Sequence, residues 1–168
     1  MSPQPLRPLA AASALFAFTI AGVAAASSVH AATVSRSIEV QGSPDAVWAK
    51  IGPYCTIKDW HPAISACTQD RKTPPTRVLV TKDGATFVER QTGRSDAAHR
   101  YAYTFVSSPV PVTRYNSTFR VVAKAKGVST VIWTGVYTPV PGKEKDAAAA
   151  LAGIYESGLA EIKSKLAN

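Results

Sequence analysis

Cys55 and Cys67 are the only cysteines in the chain, and between them stand Trp60, His61 and Pro62, in the stretch Y-C-T-I-K-D-W-H-P-A-I-S-A-C. Nowhere else do a titratable ring nitrogen, a bulky aromatic and a forced backbone bend coincide. Thiolates could hold a metal or exchange disulfides, and an imidazole could move a proton or meet an anion. A metal centre needs more ligands than this stretch offers, because neither a second cysteine pair nor a spaced histidine pair accompanies it. Neither C-x-x-C nor C-x-x-C-H occurs, which excludes the usual thiol-oxidoreductase and haem-attachment patterns. We expect no metal and no cofactor. In an oxidising compartment two cysteines twelve positions apart read as a structural disulfide, with two free thiols as the alternative. Closing so short a loop contributes about 3 kcal/mol.

For acid–base work the choice is narrow. Beyond residue 31 only His61 and His99 remain, and His99 falls in an expected loop beside Arg100. No G-x-S-x-G elbow, H-E-x-x-H motif or glycine-rich phosphate loop appears. His61 with Glu89 is the one pair that could serve, if burial tuned both groups. The plainer readings are a hydrogen-bonded histidine at a helix end and an ordinary exposed strand glutamate.

The compartment follows from the N-terminus. Arg7 is the only charged residue before Arg36, and residues 9–26 are almost wholly apolar. Val29-His30-Ala31 places small residues where a signal peptidase reads, so residues 1–31 are expected to be a removed signal peptide, with the periplasm as destination and no membrane anchor afterwards. Residues 32–168 are expected to form a single domain. Losing Arg7 lowers the formal net charge only from +8 to +7. The lysines and arginines are scattered without aromatic interleaving, which with export argues against nucleic acid. A solvated surface is the plain reading of that charge, and attraction to an acidic protein partner or anionic lipid the sharper one.

The elements that must position these residues read off in order. Val34, Ile38 and Val40 alternate with polar residues as a strand with one buried face. Ser43-Pro44-Asp45 supplies an N-cap, a proline at the first helical position and an acid in the first turn, so a short helix should run from 44 to 51. A second short helix is expected over 55–60, stopped by Pro62, which also forces His61 out of the helical region. From Cys67 onward come about six antiparallel strands, with Lys82-Asp83-Gly84 as a tight turn, a loop at 93–96 and a hairpin at Gly127. The tail from 143 to 166 returns to helical spacing, with Leu151, Ile154, Tyr155, Leu159, Ile162 and Leu166 on one stripe. Gly158 lies on that stripe and Gly153 beside it, which suggests close approach to the sheet or a ligand.

The strand, then S-P-D-A-V-W, W-H-P, F-V-E-R-Q, P-V-P-V-T-R-Y, a tryptophan-bearing last strand and a long final helix resemble the SRPBCC or START-like superfamily, which includes polyketide cyclase/dehydrase-like and Bet v 1-like proteins. The resemblance implies an α+β helix-grip fold: a curved antiparallel sheet of about seven strands around the C-terminal helix, two short helices after the first strand, and an elongated cavity between sheet and helix. With the leader and the size, the chain is most similar to the periplasmic MxaD-type proteins of methanol oxidation. That likeness implies a non-enzymatic accessory role between methanol dehydrogenase and its cytochrome c acceptor, an acidic redox partner. A carrier or sensor of a hydrophobic small molecule is the first alternative, and a cyclase or dehydratase the second. Period-two spacing puts Phe87, Glu89 and Gln91 on one strand face, and Tyr115, Ser117 and Phe119 on another. If the resemblance holds, these faces look into the cavity, and its candidate lining is Trp60, His61, Phe87, Glu89, Tyr115, Ser117, Phe119, Tyr155 and Leu159. It also implies that a Cys55–Cys67 brace fixes Trp60 and His61 at the cavity mouth.

Overall fold

The computed structural model describes residues 30–167, so the expected leader lies outside them except for His30 and Ala31. Ten elements follow in order: β1 (Ala32–Gln41), α1 (Pro44–Ile51), α2 (Ile57–Trp60), β2 (Ile64–Gln69), β3 (Thr76–Thr81), β4 (Thr86–Ser95), β5 (Arg100–Ser107), β6 (Val112–Ala125), β7 (Val128–Pro139) and α3 (Glu144–Leu166). The strands form one antiparallel sheet ordered β1-β7-β6-β5-β4-β3-β2. This is the α+β helix-grip arrangement.

Local chemistry explains the short elements. The Ser43 hydroxyl accepts from the Ala46 amide, Pro44 opens α1 and Asp45 sits in its first turn, where an acid offsets the exposed amide dipoles. Before Pro62 the chain leaves α2 with His61 extended, at φ −96° and ψ 118°. A proline's ring clashes with a helical predecessor, which is why the turn ends there. Two bounds differ from the sequence expectation. The second helix is shorter, Ile57–Trp60, and β2 begins at Ile64, so Cys67 lies inside a strand. The loop expected at 93–96 is mostly strand: β4 continues to Ser95, because a bulge between Gln91 and Gly93 lets Gly93, Arg94 and Ser95 keep pairing with β5.

Irregularities of that kind interrupt the ladders of β2 with β3, β4 with β5, and β6 with β7, and each bends its strand. The sheet therefore curls, and α3 fills its concave side. Ala147, Leu151, Tyr155, Gly158, Leu159, Ile162 and Leu166 form the buried stripe of α3, recurring at three- and four-residue steps. The alternate strand residues Tyr101, Tyr103, Tyr115, Phe119, Val121, Val131 and Trp133 meet it. Cys55 and Cys67 form a disulfide that ties the segment before α2 to β2.

Candidate functional site

The interior polar groups sit where the sheet's inward rows cross α3. Arg77 on β3 and Glu89 on β4 are register partners and face inward together. The Arg77 side chain is 0% exposed, and its Nε donates to Glu89 Oε2 at 2.6 Å. Nη2 lies equally close, and Nη1 donates to the Tyr54 carbonyl. The guanidinium carbon stands 3.9 Å from the Tyr54 ring centre, with the Tyr103 and Tyr101 rings at 5.3 and 5.8 Å. Burial pulls the Arg77 pKa down, but Glu89 more than offsets this and holds the guanidinium above its usual range. Burial also lifts the Glu89 carboxyl above the ordinary carboxylate range, against the pull of Arg77.

A second cluster is built of hydroxyls. The Trp133 indole N–H reaches both Tyr103 Oη and Ser117 Oγ at 3.0 Å. The Tyr155 hydroxyl lies 2.6 Å from that of Tyr115 and 3.0 Å from Ser117 Oγ, which also donates to the Thr134 carbonyl. The Trp133 and Tyr155 rings stack at 4.4 Å. Burial keeps these phenols protonated: Tyr155 is pushed up to about 12, and Tyr103 and Tyr115 lie well above the normal phenol value.

His61 is 4% exposed and fully engaged. Its Nε2 lies 3.0 Å from the Ile154 carbonyl of α3, so this nitrogen carries the proton, while Nδ1 accepts from the Ala63 amide at 3.2 Å. Burial lowers the imidazole's pKa, the Ile154 carbonyl opposes that, and Arg77 lowers it further. The ring is neutral and structural. Trp60 stacks on Phe119 at 5.4 Å and is buried like His61.

Of the cavity candidates, His61, Phe87, Glu89 and Tyr115 line one internal space, together with Leu79, Phe105, Leu151 and Ile154. Trp60, Phe119, Tyr155 and Leu159 belong to the hydrophobic core outside that lining, and Ser117 is a buried polar residue among them. The space measures about 70 Å³. Pockets that take drug-sized ligands run to roughly 300–1,000 Å³. His61 and Glu89 share the space without a hydrogen bond between them, each committed elsewhere. Sequence reasoning missed Arg77 and its tyrosines. The signals were there: Arg77 and Leu79 alternate with Val78 and Val80, and Tyr101, Tyr103 and Phe105 recur at every second position.

A family model described as polyketide cyclase/dehydrase and lipid transport matches residues 31–167. Among solved structures, protein XoxI from Bacillus cereus is 33% identical, covering 80% of this chain and 95% of its own, with a TM-score of 0.76. An uncharacterised protein from Bacillus thuringiensis is 32% identical over 82% of this chain and 100% of its own, TM-score 0.77. The Zhui aromatase/cyclase from a Streptomyces species shares the fold at 15% identity, TM-score 0.67, over 82% of this chain and 94% of its own. No curated protein matches.

Proposed function

This chain belongs to the polyketide cyclase/dehydrase and lipid transport family, and from that premise we propose that it is a non-catalytic member acting by contact at its surface. One observation carries this reading. Among the described residues, the one histidine–carboxylate pair that could do acid–base work is spent on the fold: both His61 nitrogens are bonded, Glu89 holds Arg77, and about 70 Å³ is left between them. A cyclase needs room for a substrate and an acid or base free to reach it. The chain carries a formal net charge of +8, or +7 without Arg7.

The specific role we propose is that of an exported accessory protein of methanol oxidation, assisting electron transfer from methanol dehydrogenase to its cytochrome c acceptor. Its support is the MxaD-type likeness of the sequence and the basic charge suited to an acidic redox partner. Electron transfer between the two proteins, measured with and without this one, tests it. The rate should rise when the protein is added, and the gain should shrink with salt. An unchanged rate at every ionic strength, or turnover of a polyketide substrate, would end this proposal. The apolar lining by Phe87, Phe105 and Leu151 supports a second reading, carriage of a small hydrophobic molecule. That reading requires the space to widen as α3 and the sheet part, and fatty acids or aromatic hydrocarbons would then raise the melting temperature.

A further inference from the structure

We infer that the outward face of the sheet, from Arg90 and Arg114 at one end to Arg100 and Arg120 at the other, is the docking surface for an acidic protein, which rests on the contact role proposed above. Side chains alternate across a strand, so the partners of buried rows show which residues point out. Tyr101 and Phe119 pair inward, which turns their neighbours Arg100 and Arg120 outward and sets them directly opposite each other. Thr76, Arg90, Thr104, Asn116, Val136 and Thr33 form a second outward row across six strands. Arg114 follows two residues along β6 from that row.

The charge on this face is one-sided. The seven strands contain two carboxylates: Glu89 faces inward onto Arg77, and Glu39 is taken by Lys124. Among the described residues no carboxylate pairs with Arg90, Arg100, Arg114 or Arg120, all exposed. Like charges directly opposite each other on a sheet destabilise it. The Arg100–Arg120 pair is thus a standing cost to the isolated fold that an acidic partner would relieve. Guanidinium groups, unlike lysine ammoniums, present a planar fork matched to carboxylates and are enriched in protein interfaces.

A recess of mixed polar and apolar lining completes the surface. Val106 and Val136, 60% and 48% exposed, are the large exposed hydrophobics among the described residues. Both line a groove of about 570 Å³ with Thr104, Arg114, Asn116 and Thr138. Arg114 and Arg120 lie six residues apart on β6, roughly 20 Å by strand rise. The matching partner therefore bears acids at two places and a protruding apolar segment at one end. A bilayer offers no such protrusion, and this face lacks the aromatic wedge that interfacial anchoring uses, so the occupant is a protein.

The test follows the backbone amide NMR signals of the isotope-labelled protein during titration with a short oligoglutamate peptide, and separately with vesicles of phosphatidylglycerol and phosphatidylcholine. Peptide shifts should cluster on Arg90, Arg100, Arg114, Arg120, Val106 and Val136, and R100E/R120E should weaken binding about tenfold or more. The control K145E/K163E, an equal charge change on α3, should bind as wild type does. Shifts on α3 instead, equal loss in the control, or vesicle binding abolished by R100E/R120E would overturn the docking face. The same variants tested on methanol dehydrogenase and cytochrome c separate the two proposals. Redox-partner binding that ignores R100E/R120E refutes this face and leaves the contact role standing. Peptide binding mapped to these arginines, with neither redox protein bound, refutes that role and leaves the face.

Discussion

Replacing Gly158 with alanine probes how tightly α3 closes on the sheet, and therefore why the interior is full. A Cβ there would lie 2.7 Å from His61 Cδ2, 3.0 Å from Trp133 Cζ3 and 3.2 Å from Trp60 Cζ3. None of the three rings can give way cheaply. His61 is bonded at both nitrogens, Trp133 is held by two hydrogen bonds and the Tyr155 stack, and Trp60 lies flat on Phe119. Overpacking a rigid core costs about 1–3 kcal/mol, and alanine returns about 1 kcal/mol of helix propensity. With three rigid neighbours the cost falls at the upper end, so G158A should lose a net of about 1–2 kcal/mol. Gly153, on the same helix, has nothing within 4 Å of its would-be Cβ. G153A should therefore gain up to about 1 kcal/mol. Urea denaturation followed by tryptophan fluorescence reads both as shifts in midpoint at constant slope. If G158A matched or exceeded wild type, α3 would not be in contact with these rings, and the account of a filled interior would collapse with it.

Removing one member of the buried ion pair strands the other. R77M should cost about 3–5 kcal/mol in urea denaturation, whereas R77M/E89L, which removes both charges, should recover most of that; equal losses would show that the pair is not coupled. For His61 the folded-state pKa lies below the unfolded 6.5, so its contribution is present above 6.5 and lost as pH falls from there through the lower folded-state value. Glu89, raised by burial, acts in the opposite sense, gaining stability on acidification. Comparing wild type with H61Q isolates the histidine: the stability difference should shift against wild type between about pH 7.5 and 5, and a constant difference would mean that His61 titrates normally. Finally, C55S/C67S should lose about 3 kcal/mol, while an unchanged midpoint would show that the bridge does not constrain the unfolded chain.

Much of the scaffold was legible because its signals are local. Ser43, Pro44 and Asp45 mark the start of α1 within three residues, Pro62 ends α2 by its own ring, and the α3 stripe repeats over six turns. β2 was harder: Ile64–Gln69 is a short edge strand with only Ile64 fully buried, and its start is set by pairing with β3. The reach of β4 to Ser95 likewise depends on a bulge and on β5, neither of which lies within the segment itself.

The interior chemistry was half legible. Period two placed Glu89 and Gln91 on one face and Tyr115, Ser117 and Phe119 on another, and all five are buried. Arg77 escaped because a charged residue in a strand reads as solvent-facing, and only its cross-strand partner and three tyrosines from distant segments make burial tolerable. His61 could be singled out as titratable, but its role depends on the Ile154 carbonyl, ninety-three residues away on α3. The outward arginines were visible as charge. Their alignment needed the β5–β6 register.

The central claim is that this protein works by an arginine-lined outer face and not by its interior, and binding to purified methanol dehydrogenase and cytochrome c, measured calorimetrically for wild type, R100E/R120E and E89Q at about 0.02 and 0.2 M salt, tests it most directly. The account predicts that wild type and folded E89Q bind one of the two alike, that salt weakens both, and that R100E/R120E does not bind. Wild type failing to bind either protein, or E89Q losing binding while R100E/R120E keeps it, would contradict the account.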